Sequence, residues 1–325
     1  MERYLVTGAA GFIASVVCEK LVQDGAEVVG LDNMNQAYDV RIKEHRLARL
    51  RQYPGFSFLK LDVSDRALLE NPQLLGRGFK AVVNLAARAG VRDCIENPWV
   101  YLETNATGTL NLLELCKREG IQKFLLASTS SIYGNDAPLP TPETAVSDKP
   151  LQAYAASKKA AEVMAHAYHY LDEIDVSVVR YFTVYGPAGR PDMVMFRFTK
   201  WIAEGMPVHL NGSGEQSRGF THVDDIARGT IAALKPVGYE VFNLGGHEVI
   251  SINDLIAYLE KSLGKKAEIL SHPQHPADMQ TSQADVNKAK EVLGWAPKVS
   301  LAEGIQGVVD WYLKERSWAR DIKTD

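Results

Sequence analysis

Tyr4-Leu5-Val6-Thr7-Gly8-Ala9-Ala10-Gly11-Phe12-Ile13-Ala14 is the stretch that decides the fold. A short β-prone run enters a glycine pair, and Phe12–Gln23 then reads as a helix. At such a turn Gly8 permits the tight bend and Gly11 lets backbone N–H groups approach a pyrophosphate, while the helix N-terminus adds partial positive charge. Ala14 replaces the usual third glycine, a small intrusion because that position serves close helix–strand packing. A glycine turn alone is a weak signal, shared with structural loops. Asp32 strengthens it: the carboxylate ends the second strand-like run, where it can accept hydrogen bonds from an adenosine ribose and repel a 2′-phosphate, favouring NAD over NADP. Asp62 ends the third run and is placed to reach the adenine, with a helix cap shared with Ser64 as the alternative.

Working outward, Tyr4–Thr7, Glu27–Leu31, Phe56–Leu61, Ala81–Leu85, Phe124–Ser128 and Val176–Tyr181 read as strands. Between them Phe12–Gln23, Arg41–Gln52, Ser64–Leu75, Trp99–Glu119 and Tyr154–Leu171 read as helices. This alternation predicts an α/β fold, a doubly wound parallel sheet of Rossmann type with helices on both faces. After about Gly186 the spacing loosens and Gly and Pro cluster, which predicts a smaller C-terminal α/β unit for substrate. The expected division is 1–185 for the NAD-binding domain and 186–217 with 246–325 for the substrate domain. Residues 218–245, with a helix near Asp224–Ala233 and a strand near Tyr239–Leu244, return to the first.

The 325 residues are 46% hydrophobic and 23% charged, which excludes a disordered chain, a collagen and a coiled-coil rod. Against 40 acidic side chains stand 36 Lys and Arg, a formal net charge of −4 that gives no general attraction to nucleic acid or anionic lipid. Cys18, Cys94 and Cys116 form neither a C-x-x-C motif nor an even set, so a reducing cytoplasm is expected. No basic-then-apolar leader and no apolar run near 20 residues is visible, so neither export nor a membrane span is expected.

Tyr154-Ala155-Ala156-Ser157-Lys158 opens a helical stretch and sets Tyr154 and Lys158 on one face. A free phenol, with a pKa of about 10, is a poor base at neutral pH, but a nearby ammonium and a nicotinamide cation would favour the phenolate. The pair gains weight from what precedes it: the glycine turn, Asp32, and a fifth strand ending in Ser128-Thr129-Ser130-Ser131.

With these residues in order, the sequence resembles the extended short-chain dehydrogenase/reductase superfamily, in its NAD-dependent sugar-nucleotide epimerase/dehydratase branch. Besides the turn and the Tyr154–Lys158 segment, the resemblance rests on Asn84-Leu85-Ala86-Ala87, Asn105-Ala106-Thr107-Gly108-Thr109 and Ser128 through Gly134. It continues through Arg180-Tyr181-Phe182-Thr183-Val184-Tyr185-Gly186-Pro187 and Arg218-Gly219-Phe220-Thr221-His222-Val223-Asp224-Asp225, covering nearly the whole chain. It implies that Tyr154 is the catalytic base, that Lys158 holds the nicotinamide ribose and lowers the tyrosine pKa, and that Thr129 hydrogen-bonds the hydroxyl at sugar carbon 4. Leu85, Ala86, Ala87 and Tyr181 would line the nicotinamide half, with Phe12, Ile13, Asn33, Val63 and Asn105 completing the cofactor set beside Gly8, Gly11, Asp32 and Asp62. Transfer of hydride from carbon 4 to NAD then gives a 4-keto sugar.

Members of the branch differ in the fate of that keto intermediate. Dehydratases and UDP-glucuronate decarboxylases carry an acidic residue after the catalytic threonine, where this chain has Ser130 and Ser131. Neutral-sugar epimerases usually carry Asn where this chain has Thr183, and the Gly186–Met193 segment beyond it is similar to that of enzymes acting on UDP-glucuronate. Ser130, Ser131 and Thr183 could hold a carboxylate through hydroxyl hydrogen bonds. That matters because a 4-keto uronate is a β-keto acid that loses carbon dioxide when its carboxylate aligns with the carbonyl π system. The expected activity is interconversion of UDP-glucuronate and UDP-galacturonate without decarboxylation. The alternatives are epimerisation of UDP-glucose, decarboxylation of UDP-glucuronate or, from another class, a non-catalytic NAD-binding sensor or scaffold.

The resemblance also assigns Arg218 to the diphosphate and Asp278 to the uridine ribose, although Gly219 and His275 depart from the family pattern beside them. Arg190, between Gly189 and Pro191, could close over substrate or remain a solvent-exposed arginine. His166 and His169 are an i, i+3 pair with no acidic third ligand, so no metal is expected, and Asp224-Asp225 reads as a helix start. Relatives pair through helices matching Trp99–Glu119 and Tyr154–Leu171, which implies a homodimer.

Overall fold

Twelve strands among the described residues carry the fold: β1 (Arg3–Thr7), β2 (Glu27–Asp32), β3 (Phe56–Lys60), β4 (Ala81–Asn84), β5 (Lys123–Thr129), β6 (Asp175–Tyr181), β7 (Thr183–Tyr185), β8 (Val208–Asn211), β9 (Ser217–His222), β10 (Tyr239–Leu244), β11 (Glu248–Ser251) and β12 (Ile269–His272). The computed structural model describes residues 1–246, 248–273 and 281–324. Every residue of β4 and β5 is buried, as a strand covered on both faces requires. Seven strands form one sheet in the order β10-β6-β5-β4-β1-β2-β3, with every neighbouring pair parallel. The chain reverses direction across the sheet between β1 and β4, and a crevice for ligand opens beyond the carboxyl ends of strands at such a point.

Helices cover both faces. On one side α1 (Phe12–Gln23) and α2 (Val40–Leu50) pack Val17, Cys18, Leu21, Leu47 and Leu50 onto the sheet. After α3 (Asp93–Glu96) and α4 (Trp99–Tyr101), α5 (Gly108–Glu119) and α6 (Ala153–Asp172) cover the other side with Leu112, Cys116, Ala161 and Ala165. The helix expected over Trp99–Glu119 contains a π-helical stretch at Leu102–Thr107. The helix expected over Ser64–Leu75 is instead a short 3-10 helix, Arg66–Glu70. Asp65 caps it by accepting the Ala67 N–H at 2.8 Å, but Pro72 favours an extended residue before it, and Asn71 (φ −73°, ψ 115°) ends the turn.

A buried ion pair anchors α6 to β6. Arg180 donates from Nε to Glu162 Oε1 at 3.0 Å and from Nη2 to Oε2 at 2.8 Å, a two-pronged contact that fixes the helix against its strand. Beyond β6 a second core forms where Phe198 and Trp201 of α7 (Val194–Glu204), Leu255 and Leu259 of α9 (Ile252–Leu263) and Ile305 of α11 (Leu301–Ala319) pack together, whereas α8 (Val223–Ala232) and α10 (Asn287–Leu293) lie on the α1 side of the large sheet. Two small sheets, β11-β9-β7 and β12-β8, border that second core.

Candidate active site

A cavity of about 1220 Å³ lies over the carboxyl ends of the large sheet and extends to β8, β9 and the 186–194 segment. Its cofactor end is built from main chain. Gly8 has φ +71°, and a Cβ there would lie 2.9 Å from the Ala86 backbone; a Cβ on Gly11 would lie 2.7 Å from Gly8 O. The turn therefore requires glycine at both positions and leaves bare backbone facing the cavity. Asp32 Oδ1 accepts the Met34 N–H at 2.8 Å, and Oδ2 accepts the Ala10 N–H at 3.3 Å. Each oxygen keeps acceptor capacity for a ribose hydroxyl. Lys43 Nζ stands 3.5 Å from Asp32 Oδ1, so the carboxylate is not a lone negative charge. Phe12, Ile13, Asn33, Val63, Leu85, Ala86, Ala87 and Tyr181 also line the cavity. The Tyr181 hydroxyl itself turns away to Thr230 Oγ1 at 2.7 Å.

Two residues expected at the cofactor make several bonds within the protein. Asp62 accepts the Ser64 N–H and hydroxyl at 2.9 and 2.7 Å and the Asn33 amide at 2.8 Å. Burial opposes its ionisation, but the Ser64 and Asn33 hydrogen bonds hold its carboxyl below the usual value. Asn105 accepts the Arg88 N–H at 2.9 Å and donates to Arg88 O and Ser157 Oγ at 3.0 and 2.9 Å, clamping the segment after β4 to α6. Neither residue lines the cavity.

At the junction of the two ends, Thr129 finishes β5 and Tyr154 stands in the first turn of α6. The Thr129 hydroxyl lies close enough to act on the Tyr154 phenol. Burial pushes the Tyr154 phenol above its ordinary pKa, while the Thr129 hydroxyl and the charge of Arg190 pull it down. Arg190 thus adds a positive charge that favours the phenolate. Lys158, expected to lower the tyrosine pKa, donates to Ala127 O at 2.9 Å, and burial brings its own pKa down to about 8 against the pull of Glu162. Arg190 faces the cavity with its side chain 23% exposed, paired with Asp192 at 2.5 Å, rather than extending into solvent.

Ser130, Ser131, Thr183 and Arg218 line the substrate end, and Ser131 donates its N–H to Thr129 Oγ1 at 3.1 Å. Asp278 and His275 lie outside the described residues. Sequence reasoning passed over Arg88, Arg92, Lys43 and Arg197, all on the cavity wall. The first two follow Leu85–Ala87 at the carboxyl end of β4, where the reversal of strand order could have pointed to them. Arginine and lysine outnumber carboxylates along the wall of a chain whose net charge is −4, so positive potential is concentrated where an anion would enter. Ser128 Oγ and Gln152 Oε1 are buried at this cavity with no hydrogen-bond partner among the described residues, as expected of groups that a bound ligand satisfies. The donors, glycine cradle and ribose-facing carboxylate fit a dinucleotide.

Residues 4–245 match the NAD dependent epimerase/dehydratase family. The chain belongs to that family. It is 51% identical to a UDP-glucuronate 4-epimerase of Thermodesulfobacterium geofontis over 99% of this chain and 100% of that one. The fold is similar to the crystal structure of the UDP-glucuronic acid 4-epimerase of Bacillus cereus in complex with UDP-glucuronic acid and NAD, with a TM-score of 0.90, 36% identity, and coverage of 96% of this chain and 99% of that chain. It is also similar to a UDP-glucose 4-epimerase of Thermotoga maritima, with a TM-score of 0.89, 33% identity, and coverage of 97% and 99%. Like the family, the chain uses NAD. Elsewhere, His166 and His169 pack around the Tyr239 ring, and no described helix is long and apolar enough to cross a membrane.

Proposed function

We propose that the chain interconverts UDP-glucuronate and UDP-galacturonate by epimerisation at carbon 4. The observation that carries this reading is that Tyr154, Lys158 and Thr129 line one cavity, where the residues after the threonine are Ser130 and Ser131 rather than an acid. Bound NAD would supply a reversible hydride acceptor for carbon 4. Gly8, Gly11 and Asp32 would hold it, with Lys158 at the nicotinamide ribose. Tyr154 would take the hydroxyl proton as phenolate and return it, and Thr129 would orient that hydroxyl. Arg218 would bind the diphosphate. Ser130, Ser131 and Thr183 would turn the carboxylate away from the alignment that expels carbon dioxide.

Incubation with UDP-glucuronate and separation of the products tests this. UDP-galacturonate is expected; UDP-pentose as the main product, or turnover of UDP-glucose alone, would reject the reading. The two domains would divide at about Gly186, with 218–245 belonging to the first, a reading supported by pairing of β10 with β6. We further propose a cytoplasmic homodimer. Exposed Trp99, Leu102, Val163 and Tyr170, on the helical stretches expected to pair, support the association, and buried unpaired Cys18, Cys94 and Cys116 suit a reducing compartment. Light scattering should give twice the chain mass; a monomer would refute the dimer.

A further inference from the structure

Arg46 does not line the cavity, yet its guanidinium bonds to two segments that border it, the glycine turn and the loop before α7. The side chain leaves α2 and is 1% exposed. Nη1 donates to Ala10 O, in the glycine turn, at 3.1 Å and to Tyr38 Oη at 2.8 Å. Nε and Nη2 both donate to Ala188 O, at 3.0 and 2.7 Å. The rings of Phe12 and Tyr38 pack against the guanidinium, each centroid 5.7 Å away. A buried guanidinium needs several well-placed acceptors to offset its desolvation, and these are main-chain carbonyls and a phenol.

What Arg46 grips is itself unusual. Ala188 has φ +53°, a left-handed conformation that an L residue adopts only under constraint. Two residues later Arg190 faces the cavity, with Nη2 donating to Ala89 O at 3.3 Å and its charge acting on Tyr154. We propose that Arg46 is a positioning residue: by holding the Ala188 carbonyl it fixes the Gly186–Asp192 loop with Arg190 beside Tyr154, and it ties that loop to the glycine turn. This role rests on Tyr154 being the base of the proposed reaction.

The test compares the full chain with Arg46→Met, which keeps an apolar stem and loses every donor, and with Arg46→Met/Ala188→Gly. Glycine takes a left-handed φ without strain, so the second substitution should return part of what the first removes. Amide hydrogen exchange over residues 186–193 is measured first, because it requires no turnover. Exchange there should accelerate in Arg46→Met and slow again in the double variant.

In the NAD-loaded enzyme with UDP-glucuronate, kcat should fall about tenfold in Arg46→Met, since a small misplacement of a charged group is enough for that. The acid limb of the kcat profile should also move to higher pH, because Arg190 no longer favours the phenolate. The other groups acting on or packed against the phenol are the Thr129 hydroxyl from β5, the Cys94 thiol from α3 and the Tyr101 ring from α4, with Lys158 one turn further along its own helix, and none of them is altered. Arg46→Lys keeps the charge and stem without the fork; it should show the same direction and replaces the methionine variant if that fails to fold. Unchanged exchange, or a loss of kcat with the acid limb unmoved, overturns the proposal. A wild-type chain without activity on UDP-glucuronate would defeat the proposed function, and the exchange measurement would still decide whether Arg46 holds the loop.

Discussion

The two ends of the cavity are made in different ways. The cofactor end hangs on the parallel sheet: the glycine turn follows β1, Asp32 closes β2 and is held by two backbone N–H groups, and Leu85–Ala87 follow β4. The substrate end is assembled from segments far apart in the chain. Thr183, Arg190 and Arg218 come from a short strand, a loop and a small sheet, and side-chain bonds set that loop in place. The carboxyl ends of parallel strands position a dinucleotide with little help from side chains, so one architecture serves many reactions, whereas specificity is built where side chains brace loops.

The largest effect that should separate the two ends is at their junction. Replacing Tyr154 by Phe removes the phenolic oxygen and leaves the ring that meets Tyr101 edge-on, with centroids 6.2 Å apart. The glycine turn and Asp32 are untouched. Epimerisation should fall by about 10³-fold, the scale of a lost general base, while NAD affinity measured by calorimetry stays within about twofold. A parallel loss of NAD affinity would show that the ends are not separable, and unchanged turnover would defeat the assignment of the base.

That division also explains what the sequence discloses. β1, α1 and the glycine turn were readable because a doubly covered strand is apolar at consecutive positions and two glycines meet a steric requirement within a few residues. The helix expected at Ser64–Leu75 overlooked how strongly Pro72 acts on the residue before it. Asp62 and Asn105 have the chemistry of ligands and also bond to nearby main-chain groups, a second use that spacing alone does not reveal. Arg46 was invisible for another reason: its partner Ala188 is 142 residues away, and no local pattern announces a guanidinium that bonds to carbonyls.

A smaller effect, one of pH, sharpens the comparison from the cofactor end. Lys158 is 2% exposed, and burial lowers its pKa from 10.5 to about 8. Between those values the unfolded chain carries a proton that the folded chain has released. More protons bound in the unfolded state means that stability rises with pH, so this lysine contributes an increase from about pH 8 upward. The ceiling is about 3 kcal/mol, at about 1.4 kcal/mol for each pH unit. Buried Tyr154 and Cys18 act in the opposite sense, because burial raises their pKa and the folded chain retains protons that the unfolded chain loses. They are common to wild type and Lys158→Met, so the difference between the two proteins isolates the lysine. Urea unfolding of the NAD-free protein at pH 8, 9 and 10 should show wild type gaining on Lys158→Met with each step. Parallel behaviour of the two proteins would mean that Lys158 keeps its ordinary pKa despite its burial, and that the end resting on the sheet is more open to water than its packing indicates.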